Sequence, residues 1–124
     1  KSGKVDVLAT IDQTSVQTKS LTTDWEDGTD HLYNGTATFN ADSNSLDLSN
    51  IVPGDAIKFN INVKNNSTIA VKYRTRLTFK DNGLYDGLKI KIGEYENMAI
   101  TNWEDLAVNS DTQLNFQVML EMNT

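Results

Sequence analysis

A chain of 124 residues has room for one domain with a two-layer core and no more. Having no cysteine, it can form neither disulfides nor thiolate zinc sites nor cysteine nucleophiles, and no apolar run approaches the ~18 residues of a membrane-spanning helix. A net charge of −6 with few exposed aromatics between cations argues against nucleic acid as a partner, and a single histidine leaves no His-x-x-x-His pair for zinc.

The charge is unevenly spread. Residues 56–92 carry eight of the eleven Lys and Arg side chains, and only Asp81 and Asp86 oppose them. One sheet face is therefore expected to be basic and the flanking loops acidic. Lys1 to Asp12 contains no apolar h-region, so any export signal is expected to have been removed.

Val5, Val7, Ala9 and Ile11 alternate with Lys4, Asp6 and Thr10, the period of a first strand. Leu8 puts an apolar residue on its other face, as suits a strand covered on both sides or exchanged with a neighbour. Gln13 to Asp30 is polar and rich in Thr, Ser and Asp, and reads as a long loop or irregular edge with Leu21 and Trp25 as isolated apolar points. Within it Asp24, Glu26, Asp27 and Asp30 surround Gly28. Such carboxylates could hold calcium, although their order departs from the EF-hand loop and lacks its closing bidentate Glu; the other reading is an acidic surface loop.

Asn34-Gly35 signals a tight turn before a short strand at Thr36 to Phe39. Asn40 to Ser45 turns the chain again into Leu46-Asp47-Leu48, with Ile51 as a further anchor. Pro53-Gly54-Asp55 predicts a type II turn, Pro presetting φ and Gly taking the positive-φ position. Ile57, Phe59, Ile61 and Val63 then alternate with Lys58, Asn60 and Asn62. Lys64 to Thr68 is a turn leading either to a hairpin or to a crossing between sheets.

Beyond it, Ile69, Val71, Tyr73, Thr75, Leu77 and Phe79 alternate with Lys72, Arg74 and Arg76. Those three cations form a stripe that reads as a holder for an acidic polymer or as a solvated face whose charges prevent edge-to-edge aggregation. Asp81-Asn82-Gly83 and Asp86-Gly87 punctuate the way to a strand at Leu88, Ile90 and Ile92. Thr101-Asn102-Trp103-Glu104 has capping-box spacing and predicts one helical turn, with Trp103 either plugging an end of the core or offering a ring to a ligand. Leu114, Phe116, Val118, Leu120 and Met122 form the last strand. About seven short strands joined by Asn, Gly and Asp turns predict an all-β, antiparallel β-sandwich, immunoglobulin-like or jelly-roll, as a single domain over residues 1–124.

Leu48-Ser49-Asn50-Ile51-Val52-Pro53-Gly54-Asp55, the alternating strand containing Phe59, and Asn65-Asn66-Ser67-Thr68-Ile69-Ala70-Val71-Lys72 resemble the camelysin and TasA type of exported bacterial protein. In that family a Leu-Ser-Asn-apolar-x-Pro-Gly-Asp segment leads to a strand, an Asn-rich turn and an apolar-Ala-apolar-Lys strand. The resemblance is good over residues 34–80; Ala9 to Val16 is similar to relatives in gut Firmicutes. It implies a secreted or cell-surface β-sandwich of a Gram-positive bacterium, released by a dedicated signal peptidase, of the kind that builds biofilm matrix. The family usually continues past the equivalent of Leu114 to Glu121 with a Tyr-Gln-Gly segment and another strand. Three alternatives stay open: the domain closes with one strand fewer, the chain is a trimmed piece, or another molecule supplies the missing edge.

Two functions from different classes follow. The first is a non-catalytic structural or interaction protein of a bacterial matrix, with Val5, Val7, Ala9 and Ile11 pairing with the open edge of a second copy or of another surface protein. The second is an extracellular carbohydrate- or peptide-binding module, in which Trp25, Tyr33, Tyr85, Tyr95 and Trp103 are candidate rings, Lys72, Arg74 and Arg76 candidate charges, and cell-wall glycan a candidate partner. Camelysin itself is described as a metalloprotease, but the chain has no His-Glu-x-x-His and no Gly-x-Ser-x-Gly, so neither catalysis nor a cofactor is expected.

Overall fold

A computed structural model of the chain describes residues 3–40, 42–78, 87–98 and 100–121. The chain is all-β. Its strands are β1 (Val7–Lys19), β2 (Glu26–Asp27), β3 (Thr36–Asn40), β4 (Ser45–Ser49), β5 (Ala56–Asn65), β6 (Val71–Tyr73), β7 (Leu88–Ile92), β8 (Tyr95–Glu96), β9 (Glu104–Leu106) and β10 (Asp111–Leu120). Six of them form one antiparallel sheet in the order β2-β1-β5-β10-β7-β8, while β3-β4 and β6-β9 form two small sheets.

Register decides which residues meet. Ile57, Phe59 and Ile61 lie opposite Val118, Phe116 and Leu114, and Ile90 and Ile92 lie opposite Val118 and Phe116. These side chains share one face of the large sheet, and the β3-β4 hairpin covers it with Ala37, Phe39, Leu46 and Leu48. Phe59 sits at the centre, stacked on Phe116 at 5.4 Å and edge-on to Phe39 at 5.0 Å.

The turn at Pro53-Gly54 forms as expected. Gly54 has φ +97°, and the Asp55 N–H donates to the Val52 carbonyl at 3.0 Å. The buried Asp55 carboxyl then accepts from the Val52 N–H at 3.1 Å and from the Tyr33 N–H at 3.0 Å, tying the approach to β3 onto the entry of β5.

After β5 the chain crosses between sheets. Asn65 directs the crossing: it is 0 % exposed, its Nδ2 lies 3.1 Å from the carbonyls of Ile69, Leu106 and Ala107, and its Oδ1 accepts from the Ser67 N–H at 2.8 Å. One side chain thereby joins the end of β5, the approach to β6 and the end of β9.

Three expectations are corrected. Of the two readings of Gln13 to Asp30, the loop is corrected and the irregular edge is nearer: β1 runs on to Lys19, and β2, an edge strand, pairs with it through Gln17 and Thr18. Between Asp12 and Gln17 the register on β5 shifts, from Asp12 opposite Asn60 to Gln17 opposite Lys58, so the side chains change faces at a bulge. Beyond it Val16, Thr18 and Ser20 are the buried positions, and the Thr18 hydroxyl donates to the Gly28 carbonyl at 2.8 Å. A strand that buries Thr and Ser shows no apolar alternation.

The helical turn expected at Thr101 to Glu104 is also absent. Thr101 exchanges bonds with Thr75 instead, its N–H donating to the Thr75 carbonyl and its Oγ1 accepting from the Thr75 N–H, both at 2.9 Å. Trp103 is consequently outside the core, 57 % exposed. The described part of the run, Ile69 to Thr78, is not one strand: within it only Val71–Tyr73 pairs in a ladder, with an isolated bridge from Arg76 to Ile100. Phe79, Lys80, the turn residues Asp81, Asn82, Gly83 and Asp86, Tyr85 and Met122 lie outside the described residues.

Candidate functional site

The amino-terminal half of β1 is an edge. Val7 to Asp12 pair with β5 on one side, from Val7 opposite Asn65 to Asp12 opposite Asn60, and the contact continues upstream where the Asn66 N–H donates to the Asp6 carbonyl at 2.8 Å. Backbone groups alternate sides along a strand, so Val5, Val7, Ala9 and Ile11 turn theirs outward. Among the described residues no strand pairs with them there; the Ala9 carbonyl accepts only the Asn44 side-chain amide, at 3.0 Å. Ile11 is buried in the core, whereas Val5, Val7, Leu8 and Ala9 are exposed, Val5 by 67 %. The four candidate assembly positions thus lie on one edge, anchored at its inner end.

The bulge closes that edge. The Asp12 carboxylate accepts from the Thr14 N–H and hydroxyl at 3.0 and 2.6 Å, and the Ser15 hydroxyl donates to the Asp12 carbonyl at 2.6 Å while accepting from the Asn60 N–H at 2.8 Å. β2 begins to cover β1 only beyond this point.

The acidic loop is organised by its histidine. His31 places Nδ1 3.3 Å from Glu26 and Nε2 3.1 Å from Asp30 and 2.9 Å from the Asp27 carbonyl. Asp27 turns its carboxylate to Gln17 at 2.9 Å, and Asp24 is exposed with no bond to the other acids. Among the described residues no three of Asp24, Glu26, Asp27 and Asp30 converge as a cation site.

The candidate rings and charges are spread over separate elements. Trp25 packs beneath Lys58 at 4.5 Å and Lys19 at 5.6 Å on the outer face of the large sheet. Tyr33 is exposed beside the Asp55 turn. Trp103 lies under Arg74 at 4.6 Å on the β6-β9 sheet, next to the ion pair of Lys72 with Asp105 at 3.2 Å. Two of the three cations in the basic stripe therefore have partners within the chain, and Arg76 stands exposed at the bridge to Ile100. Tyr95 donates to Glu104 at 3.3 Å.

One further arrangement has no contiguous signal in the sequence. The outer face of the large sheet carries a trough of about 540 Å³ floored by Lys58, Asn60, Asn115 and Gln117, with Gln17 and Lys91 at its sides. Its signal is present as amides and lysines at the outward positions of two central strands, but only the pairing of β5 with β10 makes neighbours of them. Comparison with models of protein families, with curated proteins and with solved structures finds no match to this chain.

Proposed function

We propose that the protein is a non-catalytic structural subunit of a secreted or cell-surface bacterial assembly, and that its copies join by exchange of the amino-terminal half of β1. The observation that carries this reading is the open edge from Val5 to Ile11. Among the described residues it has one β neighbour, with an exposed apolar margin at Val5, Val7 and Leu8 and a bulge at Thr14-Ser15 where it separates from the covered half of the strand. Unpaired edges of this kind are templates for strand addition. Exchange costs little because each contact that the arm leaves on its own β5 is regained on the β5 of the next copy, and a head-to-tail exchange propagates. The resemblance of residues 34–80 to a matrix-forming family supports the same reading.

The test is light scattering over a wide concentration range, before and after mild acid exposure and return to neutral pH. Growth into long oligomers that is abolished by the double substitution Val5→Asp and Val7→Asp is the expected result. A chain that stays monomeric under every condition overturns the proposal, as does growth that the double variant leaves unchanged.

A further inference from the structure

On the outer face of the large sheet one row of side chains crosses all six strands in register. Asp27 on β2 is opposite Gln17 on β1, Gln17 opposite Lys58 on β5, Lys58 opposite Gln117 on β10, Gln117 opposite Lys91 on β7, and Lys91 opposite Glu96 on β8. Its order of charge is acid, amide, cation, amide, cation, acid. Asn60 and Asn115 form the next rung, also paired. The trough follows this row.

Two properties set the row apart from an ordinary solvated face. Lys58, Asn60 and Gln117 are half-buried although they are on the outer side, and Thr14 and Ser15 of the bulge and Gly93 line the trough with them. In addition, Asn60, Asn115 and Gln117 make no side-chain hydrogen bond to another described residue, while Gln17 is held by Asp27 at 2.9 Å. Each free amide offers two donors and an acceptor, which matches neighbouring sugar hydroxyls that both give and accept protons. Lys58 is steadied from beside the trough by the Trp25 ring.

Spacing points to a ligand class. Lys58 and Lys91 are two strands apart, about 9.6 Å at normal strand separation. That is the length of one disaccharide in an extended chain. We propose that the row binds an acidic polysaccharide carrying one carboxylate per disaccharide, laid across the strands with successive carboxylates on Lys58 and Lys91 and the intervening neutral sugar on Gln117. Asp27, two strands beyond Lys58, stands where the next carboxylate of a longer chain falls and disfavours extension past a neutral sugar over Gln17, while Glu96, one strand beyond Lys91, stands where a polymer charged at every sugar would place a carboxylate. The site is on a different face from the β1 edge, and binding does not depend on assembly.

The probe is a hyaluronan oligosaccharide, which has the required alternation, titrated against the purified chain with tryptophan fluorescence and calorimetry as readouts. Polygalacturonate, charged at every sugar, and a neutral chito-oligosaccharide are the comparisons. Hyaluronan should bind most tightly. Lys58→Gln and Lys91→Gln should each weaken it about tenfold, the effect of one charge-assisted hydrogen bond, with circular dichroism unchanged. Asp27→Asn should tighten it, and Lys72→Gln with Arg74→Gln on the other basic surface should leave it unaltered. No hyaluronan binding at millimolar concentration overturns the proposal; so does equal binding of the neutral chain, or loss in the Lys72 and Arg74 variant equal to that in the trough variants.

Discussion

Asn65→Ala tests the crossing between sheets more directly than any other substitution. The Asn65 amide has two hydrogens for three carbonyls, those of Ile69, Leu106 and Ala107, so at least one bond is shared, and its oxygen holds the Ser67 N–H. Three effective hydrogen bonds disappear in the alanine variant. Each is worth roughly 0.5–1.5 kcal/mol net, and each buried group left without a partner costs about 1–3 kcal/mol. Allowing for relaxation of the turn and entry of a water, the loss should be about 3–5 kcal/mol. That is a large part of the roughly 5–15 kcal/mol available to a domain of this size, and corresponds to a fall in Tm of about 10–20 °C. Asn66→Ala, one residue on and exposed, is the control and should stay within about 0.5 kcal/mol of the parent. Asn65→Asp should be worse at neutral pH than Asn65→Ala, because a carboxylate would face three carbonyl oxygens. The folded state then favours the protonated acid and raises its pKa, so that variant should gain stability as pH falls and lose it as pH rises. Urea unfolding of the four proteins at two pH values measures all of this. A cost below about 1 kcal/mol for Asn65→Ala would refute the idea that this amide holds β5, β6 and β9 together.

Asp55→Ala should destabilise by about 2–4 kcal/mol in the same assay, since the Val52 and Tyr33 N–H groups both lose a buried acceptor; a cost similar to that of a surface substitution would show that water replaces the carboxyl. Gly54→Ala should cost at least about 1–3 kcal/mol, because φ is +97° and an added Cβ would lie 2.8 Å from Leu21 Cβ. An unchanged unfolding midpoint for that variant would mean that the turn can change type without loss.

Much of the architecture is legible in the sequence because its apolar positions keep period two wherever a strand is buried on one face. Leu88 to Ile92 and Ile57 to Val63 show it without interruption, and the Pro53-Gly54 turn announces its own geometry. The second half of β1 is hidden for a physical reason: the bulge shifts its phase, and Thr18 and Ser20 take core positions by satisfying their hydroxyls internally. The capping-box spacing around Trp103 does not yield a helical turn, because it is equally compatible with an extended segment when Thr101 finds a cross-strand partner in Thr75. The open edge of β1, the candidate assembly site, is partly legible, since Leu8 on the other face of an alternating strand marks a surface needing cover. The trough is not, because Lys58, Gln117 and Lys91 are far apart in the chain and become a row only through the registers of β5, β10 and β7.

The bulge in β1 also divides the kinetics of one strand. Among the described residues, amides between Leu8 and Asp12 are held by a single ladder under an exposed margin, whereas Gln17 and Thr18 lie between β2 and β5 beside the buried Val16. Deuterium should therefore enter the first segment through local opening and the second only with disruption of the central sheet. A single covalent strand would behave as two cooperative units, and the boundary between them would be the Ser15 hydroxyl and its bond to Asn60.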